Sequence, residues 1–159
     1  MAAGATYTPI ATTTTSGNAN TVTFNSFSGY TDLIMIMNFS LSTNAEVYIR
    51  FNSDTGSNYS RTYLEGNGSS ASSARNTNST TINILGRSSQ MVNIINFMNY
   101  ANTSTYKNVL ARFSSPSEIV GSEIGLWRST SAITSIELSL SSGNFTNGSV
   151  ITLYGILSA

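Results

Sequence analysis

Along much of the chain, apolar and polar residues alternate one by one. Val47, Ile49 and Phe51 interleave with Glu46, Tyr48 and Arg50, Val109, Ala111 and Phe113 with Asn108 and Arg112, and Ile136, Leu138 and Leu140 with Ser135, Glu137 and Ser139. A period of two sends successive side chains to opposite faces of an extended backbone, so each stretch predicts a half-buried strand. The same reading places strands at residues 7–15, 21–24, 33–41, 59–64, 81–85, 91–98, 123–128 and 150–157. Turn-forming clusters separate them, among them Ser16-Gly17-Asn18, residues 53–58, Ser142-Gly143-Asn144 and Asn147-Gly148-Ser149. Residues 66–80 carry little apolar content and are expected to form an exposed loop. No segment reads as a helix longer than a turn, the expected turn being Ser117-Glu118-Ile119-Val120 after Pro116. About ten short strands at regular spacing predict an all-β fold, an antiparallel β-sandwich of jelly-roll type.

Two strands break the alternation. In residues 33–41 the odd positions Leu33, Met35, Met37, Phe39 and Leu41 form one apolar face, yet Ile34 and Ile36 on the other face are apolar as well. The last strand repeats this, with Ile151, Leu153 and Leu157 on one side and Val150, Tyr154 and Ile156 on the other. An antiparallel sheet usually shows water one face, so something is expected to cover Ile34, Ile36, Val150, Tyr154 and Ile156. In a chain with few surface charges, another subunit is the favoured cover.

Composition narrows the chemistry. The 159 residues include seven basic and seven acidic side chains, a balance with no electrostatic footprint for nucleic acid or an anionic membrane. One domain is expected, and a chain of this length buries roughly 70% of its unfolded surface without staples. There is no Cys and no His, which removes Ser-His-Asp and Cys-His catalysis and ordinary zinc sites. The N-terminal residues lack a basic region and a long apolar run, and Leu33-Ile-Met-Ile-Met37 is too short to span a bilayer, so a soluble chain made in the cytoplasm is expected. The Asn-x-Ser/Thr triplets, such as those at Asn38 and Asn58, follow from the abundance of Asn, Ser and Thr.

One triplet invites a catalytic reading. Asp54-Thr55-Gly56, followed by Ser57 and Asn58, has the form of an aspartic-protease signature. In such enzymes an apolar strand leads into the triplet and a second carboxylate shares its proton. Here Asn52 and Ser53 precede Asp54, no second triplet exists, and the one other Asp is Asp32. A turn explains the residues better: an Asx-turn Asp and a Gly at positive φ, joining strands 47–52 and 59–64 as a hairpin. Glu46, Glu65, Glu118, Glu123 and Glu137 are dispersed and show no glycosidase spacing, although strands distant in sequence can bring two together. A calcium site at Asp54 lacks a clustered acidic loop, and Trp127, the one Trp, is expected in the core rather than as a sugar platform. No enzyme, cofactor or metal is expected.

Residues 1–15 are uncharged, and apart from Tyr7, Pro9 and Ile10 small or polar. Residues 1–20 therefore read either as the first strand of the sandwich or as an arm that docks by strand addition through Tyr7, Pro9 and Ile10, with residues 21–159 as the single sandwich domain.

Four segments carry a family resemblance: FSGYTDLIMIMNFSL (residues 27–41), RFNSDTGSNYS (50–60), YLEGNGSSASS (63–73) and IGLWRSTSAITSIELSLSSGNFTNGSVITLYGI (124–156). Their order resembles a β-sandwich module of virion structural proteins in tailed bacteriophages, and it covers most of the chain. The resemblance implies a capsid decoration (cement) protein on the capsid exterior, partnered by the major capsid protein or other virion proteins, and it suggests a homotrimer. The alternative it implies is a tail-fibre or tail-tip module for a host receptor or carbohydrate. No catalytic residue transfers with it, and Asp54 is implied to be a turn residue.

Overall fold

The computed structural model describes residues 6–157, and within them it is built of strands and turns. The strands are β1 (Tyr7–Thr14), β2 (Thr21–Asn25), β3 (Asp32–Phe39), β4 (Ala45–Phe51), β5 (Tyr59–Gly66), β6 (Ala71–Ser79), β7 (Ile82–Gly86), β8 (Met91–Phe97), β9 (Lys107–Ser115), β10 (Ile119–Trp127), β11 (Ser135–Leu140) and β12 (Val150–Ile156). An eight-stranded sheet has the order β1-β12-β3-β8-β9-β10-β5-β6, and a four-stranded sheet the order β2-β11-β4-β7. All pairings are antiparallel. Strands β2 to β8 and β11 wind between the two sheets as a jelly roll does. The β9–β10 hairpin is inserted between β8 and β5, and β12 and β1 widen the opposite flank.

The alternating residues meet between the sheets. Leu33, Met35, Met37 and Phe39 of β3 face Val47, Ile49 and Phe51 of β4, with Ile136 and Leu138 of β11, and none of these is measurably exposed. Burying such side chains removes apolar area from water at about 25 cal/mol per Å², the main stabilising term of the fold. Phe51 sits at the centre of an aromatic group, its ring centroid 5.4 Å from Trp127, 5.8 Å from Phe97 and 6.2 Å from Tyr59.

Two local expectations change, and residues 7–14 follow one of the two readings expected of them. Residues 66–80 are not simply a loop: β6 pairs with β5 from Ala71–Gly66 to Ser79–Tyr59. An edge strand needs backbone hydrogen bonds on one side only, so it forms without an apolar face, and nearly all of β6 is exposed. The expected helical turn at residues 117–120 is a hairpin turn, closed by Glu118 N–H to the Ser115 carbonyl (3.2 Å), and Ile119 and Val120 already belong to β10. Residues 7–14 are the first strand, paired with β12 with a bulge between Pro9 and Ala11. Residues 1–5 of the expected arm lie outside the described residues.

Candidate interaction surface

The protease-like triplet forms a corner between the sheets. β4 belongs to the small sheet and β5 to the large one, so the two strands flanking Asp54 do not pair as a hairpin. The chain turns at Asn52 (φ 51°) and Ser53 (φ 57°), with Asp54 N–H bonded to the Phe51 carbonyl at 2.9 Å. Asn tolerates the left-handed backbone better than most residues, and the Asn52 amide fixes this corner, donating to Ala132 O (2.7 Å) and accepting from Thr134 N–H (2.8 Å) and Ser135 N–H (3.1 Å). The expected positive φ is absent at Gly56; a Cβ there would lie 2.8 Å from Asn58 Nδ2 and 3.1 Å from Asp54 Oδ1, so a side chain would push the Asn58 amide away from the carboxylate.

The Asp54 carboxylate receives Trp127 Nε1–H at 2.7 Å, Asn58 Nδ2–H at 2.9 Å and Gly56 N–H at 2.8 Å. Burial pushes its pKa up, but these bonds and the field of Arg50 outweigh that effect and hold it below the ordinary value. These three donors make the carboxylate the acceptor that ties the corner together. Trp127 is buried, stacked on Tyr59 with centroids 6.3 Å apart, and its face is closed to a sugar.

Distance in sequence does bring two of the dispersed carboxylates together. Where the small sheet ends at β7, Arg61 of β5 fills the seam, 2.9 Å from Glu46 Oε1 and 3.5 Å from Glu123 Oε2. It also donates to the Asn83 carbonyl, and Asn83 Nδ2 donates to Glu46 Oε2 at 2.9 Å. Glu123 is 2% exposed and its Oε1 has no partner. Burial, opposed by Arg61 and reinforced by Glu46, pushes its pKa up to about 8. A carboxylic acid of raised pKa near a second carboxyl is the pairing a glycosidase uses, but here a guanidinium stands between the two, and Glu123 lines none of the five hollows found among the described residues. The cluster closes a seam.

Most of the exposed large apolar side chains among the described residues lie on the outer face of the eight-stranded sheet. Register aligns three lateral rows on that face. One runs Tyr154, Ile34, Asn96, Leu110, Ile124, Thr62; the next Thr152, Ile36, Ile94, Arg112, Ser122, Leu64; the third Val150, Asn38, Val92, Ser114, Val120, Gly66. Ile36, Leu64, Val92, Val120 and Ile124 are exposed here, together with Tyr7. All of these but Ile124 line two apolar hollows. One, of about 570 Å³, lies among Leu64, Val92, Ile94 and Val120; the other, of about 410 Å³, among Tyr7, Ile34, Ile36 and Tyr154. Soluble monomers rarely expose contiguous apolar patches above a few hundred Å².

The residues expected at an interface fall on this face, with different exposures. Ile36 is open to solvent, while Ile34 is 6% exposed. Val150, Tyr154 and Ile156 are half-buried. Tyr7 stands edge-on to Tyr154, ring centroids 6.3 Å apart, on the same flank. Pro9 is exposed, whereas Ile10 turns inward and packs on the core, so the three docking-arm residues do not form one surface. Sequence reading missed the contribution of β5, β9 and β10. Leu64, Leu110 and Ile124 do break the alternation of their strands, which is the signal that finds them. No family model matches the chain, and no curated protein matches it.

Proposed function

We propose that this chain is a structural protein of a tailed-bacteriophage virion, a capsid decoration protein that acts by covering and joining surfaces. The observation that carries the reading is the apolar outer face of the eight-stranded sheet, on a fold whose protease-like triplet is a hydrogen-bonded turn. The motif order in residues 27–41, 50–60, 63–73 and 124–156 supports the virion assignment. A decoration protein needs a rigid body and a dry face for association, and this sandwich supplies both. The chain associates with further copies of itself and with the shell, without cofactor or metal. Its open β1 edge adds a second means of attachment, since unpaired backbone groups there accept another strand.

Cryo-electron microscopy of the parent particle tests the proposal. The expected result is density for this sandwich at regular positions on the capsid exterior, with the outer face of the large sheet covered. Density in the tail alone, or its absence from the particle, overturns it.

A further inference from the structure

Three charged side chains stand on the apolar face: Asp32 on β3, Arg112 on β9 and Arg75 at the far edge on β6. The ion pairs among the described residues are Arg50–Glu137, Arg61–Glu46, Arg61–Glu123 and Arg87–Glu118, and Arg112 enters none of them. It rises between the two apolar hollows and borders both. Asp32 accepts Asn99 N–H through Oδ1 and keeps its other oxygen. Covering this face with an apolar surface alone would desolvate Arg112 without compensation, at a cost that association must overcome. An acceptor on the cover removes that cost, and a carboxylate does so most strongly.

The chain carries one in a suitable place. Asp32 and Arg112 are two strands and four residues apart, about 16 Å by ordinary sheet spacings. A two-fold axis lying in the plane of the face, halfway between them, exchanges the two positions. We propose that a second copy of the chain packs face to face on this sheet, with Arg112 of each copy paired to Asp32 of the other. The axis then passes over Asn96, whose amide meets its own copy. Ile36 and Ile94 on one side of the line cover Ile34 and Tyr154 on the other. Isologous pairing of this kind is the commonest way for a soluble chain to close an exposed patch. It requires a dimer, or an assembly built from dimers, in place of the trimer the resemblance suggests. The inference rests on the reading that another copy covers the face and is independent of the virion assignment.

The test is sedimentation of the purified chain with Arg112→Asp, Asp32→Arg and an equimolar mixture of the two. The expected result is a dimer for the unmodified chain, a dissociation constant raised at least about tenfold in each single variant, and recovery in the mixture. Because the chain has no Cys, Asp32→Cys and Arg112→Cys give an independent reading that does not depend on charge or on the Asp32–Asn99 contact. Oxidation of their mixture should yield a cross-linked pair, and oxidation of either alone should not. A monomer at every concentration overturns the covering of the face by a second copy. A dimer indifferent to both charge reversals, or a trimer, overturns the reciprocal pairing alone.

Discussion

Glu123 belongs to β10 and Asp54 is bonded to Trp127 of the same strand, yet the protein treats their carboxyls in opposite ways. Asp54 is only partly buried and receives three N–H donors, so its charge is stabilised. Glu123 is almost fully enclosed and faces one guanidinium at 3.5 Å that is shared with Glu46, so its neutral form is favoured. The difference teaches that depth of burial and the number of hydrogen-bond donors together decide whether a carboxyl stays ionised, and that one shared cation does not offset near-complete enclosure. It also separates two structural duties. Asp54 fastens a corner, while Glu123 fills a seam where the narrower sheet runs out.

The sharpest way to break the comparison is to remove the fastened carboxylate. Asp54→Ala leaves the Trp127 indole N–H buried and the corner untied, and should lower the unfolding free energy by about 3 kcal/mol, since bonds to a charged acceptor contribute about 1.5–3 kcal/mol each and are not additive. Urea unfolding at pH 7 measures it, and a loss under about 0.5 kcal/mol means that the corner holds without its acceptor.

A second experiment turns the opposite signs into opposite slopes. Glu123 binds its proton more tightly folded than unfolded, so its contribution is fully present below the unfolded pKa near 4.5 and fades as pH rises towards about 8. Asp54 runs the other way: its contribution is present above its unfolded value near 3.8 and is lost as pH falls through the lowered folded value. Glu123→Gln should therefore gain stability relative to the unmodified protein between pH 5 and pH 9, by something on the order of 2 kcal/mol. Parallel pH profiles for the two proteins would show that Glu123 is ionised in the fold at neutral pH.

The smallest expected effect concerns what else supports the corner. The Tyr59 hydroxyl accepts Phe51 N–H at 3.1 Å and points at the Asp54 carbonyl at 3.3 Å, and burial pushes its pKa up to about 12. Tyr59→Phe should cost about 1 kcal/mol, the usual net worth of a neutral hydrogen bond. Combined with Asp54→Ala, it should show coupling, because both groups act on one turn. Strict additivity would mean that carboxylate and hydroxyl hold separate pieces of structure.

Much of the fold was legible because strand burial writes a period of two into the sequence. Leu33, Met35, Met37 and Phe39 read as one buried face and are one. β6 did not read as a strand, since its pairing with β5 is made by backbone atoms that every residue carries. Asp54 read as a turn residue, and it is one. Its true partner, Trp127, was beyond local reading because it lies 73 positions away.

Sequence alone determined the all-β class, the inner faces and the double-faced strands β3 and β12, because these depend on which side chains avoid water at successive positions. The tertiary structure alone decided which strands lie side by side. Register placed Leu64, Val92, Leu110 and Ile124 beside Ile34 and Ile36 and so made one broad apolar face, and it set Glu46 and Glu123 on either side of a single arginine. Neighbours across a sheet are chosen by the best joint packing of the whole chain, and no short stretch of sequence contains that sum.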